Sequence, residues 1–336
     1  MRTLRAVTAV ETISNETPAA DLTRAALQAS SSAGRGDRLF GGVARLAGVT
    51  VLVILGLIAV ATTKEAWPAF QSQGLGFVTS RDWLPNEGRF GALAFIYGTL
   101  LASTIAVVLA VPVSLGIALF TTEVAPRRLR APVAVVIDLL AAIPSVVYGL
   151  WGFLVLAPAL EPVYVSISDS VGTWPVLGWF FGAPAFGTSF FTAGIILAFM
   201  ITPIITSLSR EVIKTVPRQQ REAALALGAT RWEMIRGAII PWSRGGITGA
   251  VMLGLGRALG ETIAAALVIG ASPQITTHLF SSGDAMAAVI ANQWGEASGN
   301  HRASLVGLGV VLFGITILVN MVATRIIARF DQLMVR

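Results

Sequence analysis

The stretch that decides the fold is PRQQREAALALGATRWEMIRGAIIPWSRGGITGAVMLGLGRALGETIAAALVIG, residues 217–270. Its first half is polar and basic, with helix formers in 218–227, a proline just ahead and Gly228 where a helix would stop. Its second half is Gly-rich and apolar, yet holds Arg257 and Glu261 near its middle. A water-facing helix is thus joined, through Pro241, to charges at membrane depth.

The whole chain explains that depth. Of 336 residues 54% are hydrophobic and only 12% charged, with a mean hydropathy of +0.75, whereas soluble domains average about 25% charged. Apolar runs at 46–63, 91–121, 131–160, 188–208, 246–271 and 304–323 are long enough for a hydrocarbon core of about 30 Å. The expectation is an all-α polytopic membrane protein with six transmembrane helices. Ala59-Val60-Ala61 resembles a signal-cleavage site, but a long tail precedes this apolar run, which outlasts a signal core. It reads as an uncleaved membrane helix.

Charge sets the orientation. Six, three, seven and three Lys/Arg fall in 1–45, 123–130, 209–245 and 324–336, against three, none and none in the alternate loops. By the positive-inside rule both termini are cytoplasmic. The net charge of +6 is read this way, and not as a nucleic-acid surface. The expected organisation is a flexible cytoplasmic tail at 1–45, a first helix and outside loop at 46–90, a five-helix core at 91–325 and a tail at 326–336. The aromatic segment 161–187 is expected to be an outside interfacial stretch.

Cysteine is absent and His278 and His301 are the only histidines, which excludes disulfides, thiolate chemistry and multi-His metal sites. A nucleotide-binding P-loop needs a lysine directly after glycine. The two lysines, Lys64 and Lys214, follow Thr63 and Ile213. An ATPase site of that type is excluded from this chain.

Arg257 and Glu261 stand four apart and would share a helix face. An arginine at mid-membrane costs about 2.5–3.5 kcal/mol on insertion scales and needs a partner or a wet cavity. Two readings stand: a salt bridge locking helices, or a guanidinium beside the path of an oxyanion, for which Glu261 competes. Asp138 is the other membrane acid, with Arg130, Arg257 or a helix end as its candidate partner. It belongs either to such structural pairing or to the path.

Glu222-Ala223-Ala224, then Gly228, then Pro241 resembles the E-A-A-x3-G-x9-I-x-L-P signature of the permease subunits of ABC importers. The departures are Ala238 and Ile240, both apolar for apolar. GLGRALGETIA at 254–264 and AAIPSVVYGLWG at 141–152 are similar to the phosphate-specific members of that family. The resemblance covers roughly 90–325 and implies a MetI-like type I importer permease fold. It makes 217–228 a coupling helix, with Glu222, Ala223, Ala224, Gly228 and Arg221 facing an ATPase. It implies a homologous permease partner (PstA type), two cytoplasmic ATPase copies (PstB type) and an extracytoplasmic phosphate-binding protein (PstS type). ATP and Mg would then be bound by the ATPase, with no cofactor or metal in this chain and no enzyme activity of its own. Sulfate or molybdate transport is the alternative within the family. A proton-coupled secondary transporter using Glu261 or Asp138 is the alternative outside it.

Overall fold

The computed structural model describes the backbone of residues 18–334 and the side chains of 36–325. Helix α1, Pro18–Gln73, starts on a proline whose fixed φ suits a first turn, and continues through residues rich in alanine and leucine. The tail expected to be flexible is therefore helical from residue 18 on; residues 1–17 lie outside the described part. The chain forms two units, up to Val60 and from Ala61. In the first, the described side chains are almost all exposed, Leu46, Leu52 and Leu57 among them. A helix apolar all round belongs in lipid.

The second unit is built on α2 (Leu93–Leu119) and α5 (Phe190–Lys214). Along α2, Ala94, Gly98, Ala102, Ala106, Ala110, Ser114 and Ala118 recur every fourth residue, and each is buried. Small residues at that spacing make a groove into which another helix sinks, as packing within membranes requires. Gly194 of α5 sits against Ile105, and Ser114 Oγ donates to the Thr202 carbonyl at 3.1 Å. α7 (Ile240–Gly260) also packs on α5, with Gly254 on Ile205 and Gly246 on Val212.

Two expected spans are rearranged. Helix α3 (Arg127–Ala142) stops before Pro144, where Ile143 turns extended as a residue preceding proline must. The membrane-length helix is α4, Ser145–Val171, which takes the first part of the segment assigned to the outside. The expected fifth span divides as well. α7 ends at Gly260, Glu261 is extended (φ −70°, ψ 126°), and a short α8 (Ile263–Val268) follows. Among the described residues five helices are long and apolar enough to cross a membrane: 36–73, 93–124, 145–171, 190–214 and 299–325. α7 is not one of them, because six glycines and two arginines dilute its hydropathy. Packing of α4 on α8 is close: a Cβ on Gly149 would lie 2.8 Å from Ala264 Cα.

At the end where α2 begins, a hairpin (β1 Trp83–Leu84, β2 Arg89–Phe90) and α9 (Met286–Gln293) pack with α10 (Gly299–Met334) around Phe77, Phe95, Met286 and Leu305. The stretches at 180–191 and 278–283 exchange backbone hydrogen bonds, and Tyr164 stacks on Phe280 at 4.2 Å. Asp284 is buried there. Burial pushes its carboxyl up to about 6, although the Ala285 N–H donates to it at 2.8 Å.

Candidate functional site: an exposed handle and an unpaired arginine

Helix α6, Arg218–Ala226, follows Pro217 as expected. Its end is a Schellman motif: Gly228 is left-handed (φ +83°), its N–H donates to Leu225, and the Ala229 N–H reaches back to Ala224. One residue later Thr230 and Glu233 form a capping box that starts the next turn. The accepted N–H and O–H of Thr230 hold the Glu233 carboxyl below its ordinary range. The end of this nine-residue helix and the start of the next are thus fixed by local chemistry written in the sequence.

The helix buries no residue completely. Glu222 and Ala223 are exposed, and Leu227 is 89% exposed. Between α6 and the start of α7 lies an open groove of about 550 Å³, lined by Ala223, Ala224, Leu227, Ala238, Pro241 and Trp242. Ala223, Ala224 and Leu227 are the residues whose spacing gives one face, and that face is the groove wall. Arg221 is a correction. Expected to face the ATPase, it turns inward to Glu123 at 3.1 Å and donates to the Ile213 carbonyl at 2.8 Å.

Pro241 is not a break. Helical structure runs from Arg231 through a π turn (Ile235–Ile239) into α7, and the Ile240 N–H donates to Ile235. Proline has no N–H to offer the ladder, and the widened turn just before it absorbs that loss.

Arg257 lies on the exposed side of α7 and Glu261 is half-buried. The expected pairing between them is absent among the described ion pairs and hydrogen bonds, because the helix ends before Glu261 and takes it off the shared face. Asp138 is also placed differently. It sits on α3, 3.6 Å from Arg210 of α5, while Arg130 donates to the Ala125 carbonyl. Arg210 escaped the sequence reading because 209–245 was assigned to a loop. Its side chain is only 9% exposed, and its signal was the spacing Ile205, Ser209, Ile213, in which two isoleucines flank a small residue and carry the buried face of α5 past residue 208.

The chain belongs to the family of binding-protein-dependent transport system inner membrane components, which matches residues 110–336. It is a multi-pass bacterial inner-membrane transport subunit. It is 44% identical over 300 residues to the phosphate transport system permease protein PstC of Mesorhizobium japonicum, covering 88% of this chain and 91% of that one. PstC of Haemophilus influenzae is 41% identical (88% and 94% covered), and PstC 2 of Mycobacterium tuberculosis 43% (87% and 92%). Among solved structures, the inward-facing MetNI methionine ABC transporter shares the fold, with a TM-score of 0.52 at 14% identity over 70% of this chain and 94% of that one.

Proposed function

We propose that this chain is a membrane-spanning subunit of an ATP-driven importer of inorganic phosphate. It forms the path with a homologous permease and is driven by two copies of a separate ATPase, which binds the ATP and Mg. A phosphate-binding protein on the far side delivers the substrate. The observation that carries this reading is the exposed helix at 218–226 in a chain 44% identical to a phosphate permease. An ATPase gripping Glu222, Ala223, Ala224 and the Gly228 turn pulls on a helical run that continues through the π turn into α7. The interruption at Glu261 lets α7 tilt without dragging α8.

In that motion Arg257 meets the substrate. A guanidinium offers five donors in a planar fork suited to phosphate oxygens. Glu261, released from the helix, is close enough in sequence to compete for it, which limits how tightly phosphate is held. Asp138 is committed to Arg210 and takes no part in this gate. The test is uptake of labelled phosphate and sulfate in a strain lacking its own phosphate importer, carrying the partner subunits with and without this chain. Phosphate uptake that requires the chain and ATP supports the reading. Uptake of sulfate alone, or uptake driven by a proton gradient without ATP, overturns it.

A further inference from the structure

The proposed coupling role leaves open how so small a helix transmits force. α6 has nine residues and buries none completely, and a helix this short is not stable by itself. Its connection to the membrane helices runs through Ala224, which lines one edge of the groove and also packs on a cluster of Ala118, Ile213, Val216, Met234 and Ile239, and through Arg221.

One guanidinium joins three segments. Arg221 Nη2 is 3.1 Å from Glu123 Oε1, in the π turn Phe120–Val124 that closes α2, and donates to the Ile213 carbonyl in the last turn of α5. The Glu123 side chain is 8% exposed, and its approach to Arg221 is Coulombic, without an aligned hydrogen bond. A carboxylate at a helix C-terminus is opposed by the helix dipole, and a buried one by desolvation. The chain tolerates Glu123 there because Arg221 faces it. Such shielded pairs are little screened by salt.

Resting on the coupling reading, we infer that Glu123 and Arg221 are positioning residues: their ion pair makes α6 move as one body with the ends of α2 and α5. Because the chain has no cysteine, the inference can be tested with E123C/R221C, assembled with cysteine-free partner subunits and reconstituted in vesicles with phosphate and its binding protein. With the pair removed, uptake and phosphate-stimulated ATP hydrolysis should fall by at least about tenfold while the ATPase still co-purifies. Bridging the two thiols with a short bis-maleimide should restore most of the loss, which a merely electrostatic role would not permit. Parent-level uptake before bridging, or complete bridging without recovery, overturns the inference. Ala223→Arg separates it from the reading beneath. If that variant keeps both ATPase and uptake, the handle reading fails and the linkage with it. If it releases the ATPase while E123C/R221C behaves like the parent, the linkage alone is overturned.

Discussion

Two charged regions of this apolar chain are organised in opposite ways. Around α6, Arg221 is held by Glu123 and Ile213, and Glu233 by Thr230. Around the α7–α8 break, neither Arg257 nor Glu261 has an ion pair or hydrogen bond among the described interactions, and Arg257 stands exposed. A charge satisfied within the chain makes a rigid part. A charge left open within a membrane protein carries a cost that something outside the chain must relieve, whether a partner subunit or a passing anion. On the function proposed above, the contrast matches a stiff handle and a substrate contact at the broken helix.

The largest expected effect tests the open half. Arg257→Gln should lower phosphate uptake by on the order of 100-fold, the loss expected when charge-assisted donors worth about 3 kcal/mol are removed. Its melting temperature in detergent should stay with the parent's, since among the described residues Arg257 makes no ion pair or hydrogen bond that the change would remove. Uptake at the parent level would remove Arg257 from the path. A large drop in melting temperature would show that the arginine is structural after all, and the contrast would collapse.

Asp284 supplies a charge of a third kind, buried with a single backbone donor. Its folded carboxyl titrates at about 6 against 3.8 ordinarily, so the folded state holds the proton more tightly. The associated stability is present below pH 3.8 and is lost as pH rises through about 6. Asp284→Asn keeps an acceptor for the Ala285 N–H and abolishes the ionisation. Above pH 6 it should be more stable than the parent by up to roughly 3 kcal/mol, a shift of about two pH units at 1.36 kcal/mol each. Thermal melts at pH 4.5 and 7.5 check this: the gain should appear only at the higher pH. Equal effects at both values would mean that packing, and not protonation, governs the site.

What the sequence disclosed follows a physical line. The start of α6 at Pro217 and its stop at Gly228 were legible, because caps are local chemistry. The small residues of α2 are likewise a local pattern, spaced by four. The break at Glu261 was not, since GETIA has no proline and mixes helix-favouring Glu and Ala with β-branched Thr and Ile. The engagement of Arg221 and Arg210 was not legible either. Both lie in polar runs that read as solvated loops, and their burial is decided by which helix ends converge on them, Glu123 being 98 residues from Arg221 along the chain. The third span was displaced for an intermediate reason. The apolar run 131–160 continues unbroken in hydropathy across Pro144, whereas the residue before it turns extended and separates two helices.

The smallest effect bears on the rigid half. Gly228 is left-handed with open space around a would-be Cβ, so Gly228→Ala meets no neighbour and pays only the backbone cost of a positive φ, about 1 kcal/mol. That cost falls on the Schellman turn, whose two hydrogen bonds end α6. If α6 is rigid because Arg221 anchors its first turns, fraying its last turn should weaken ATPase co-purification by no more than about tenfold. It should also leave the Arg221–Glu123 linkage, and the recovery of E123C/R221C on bridging, unchanged. Loss of that recovery in the triple variant would mean that the turn at Gly228 shares the load, and that stiffness in the handle is a property of both its ends.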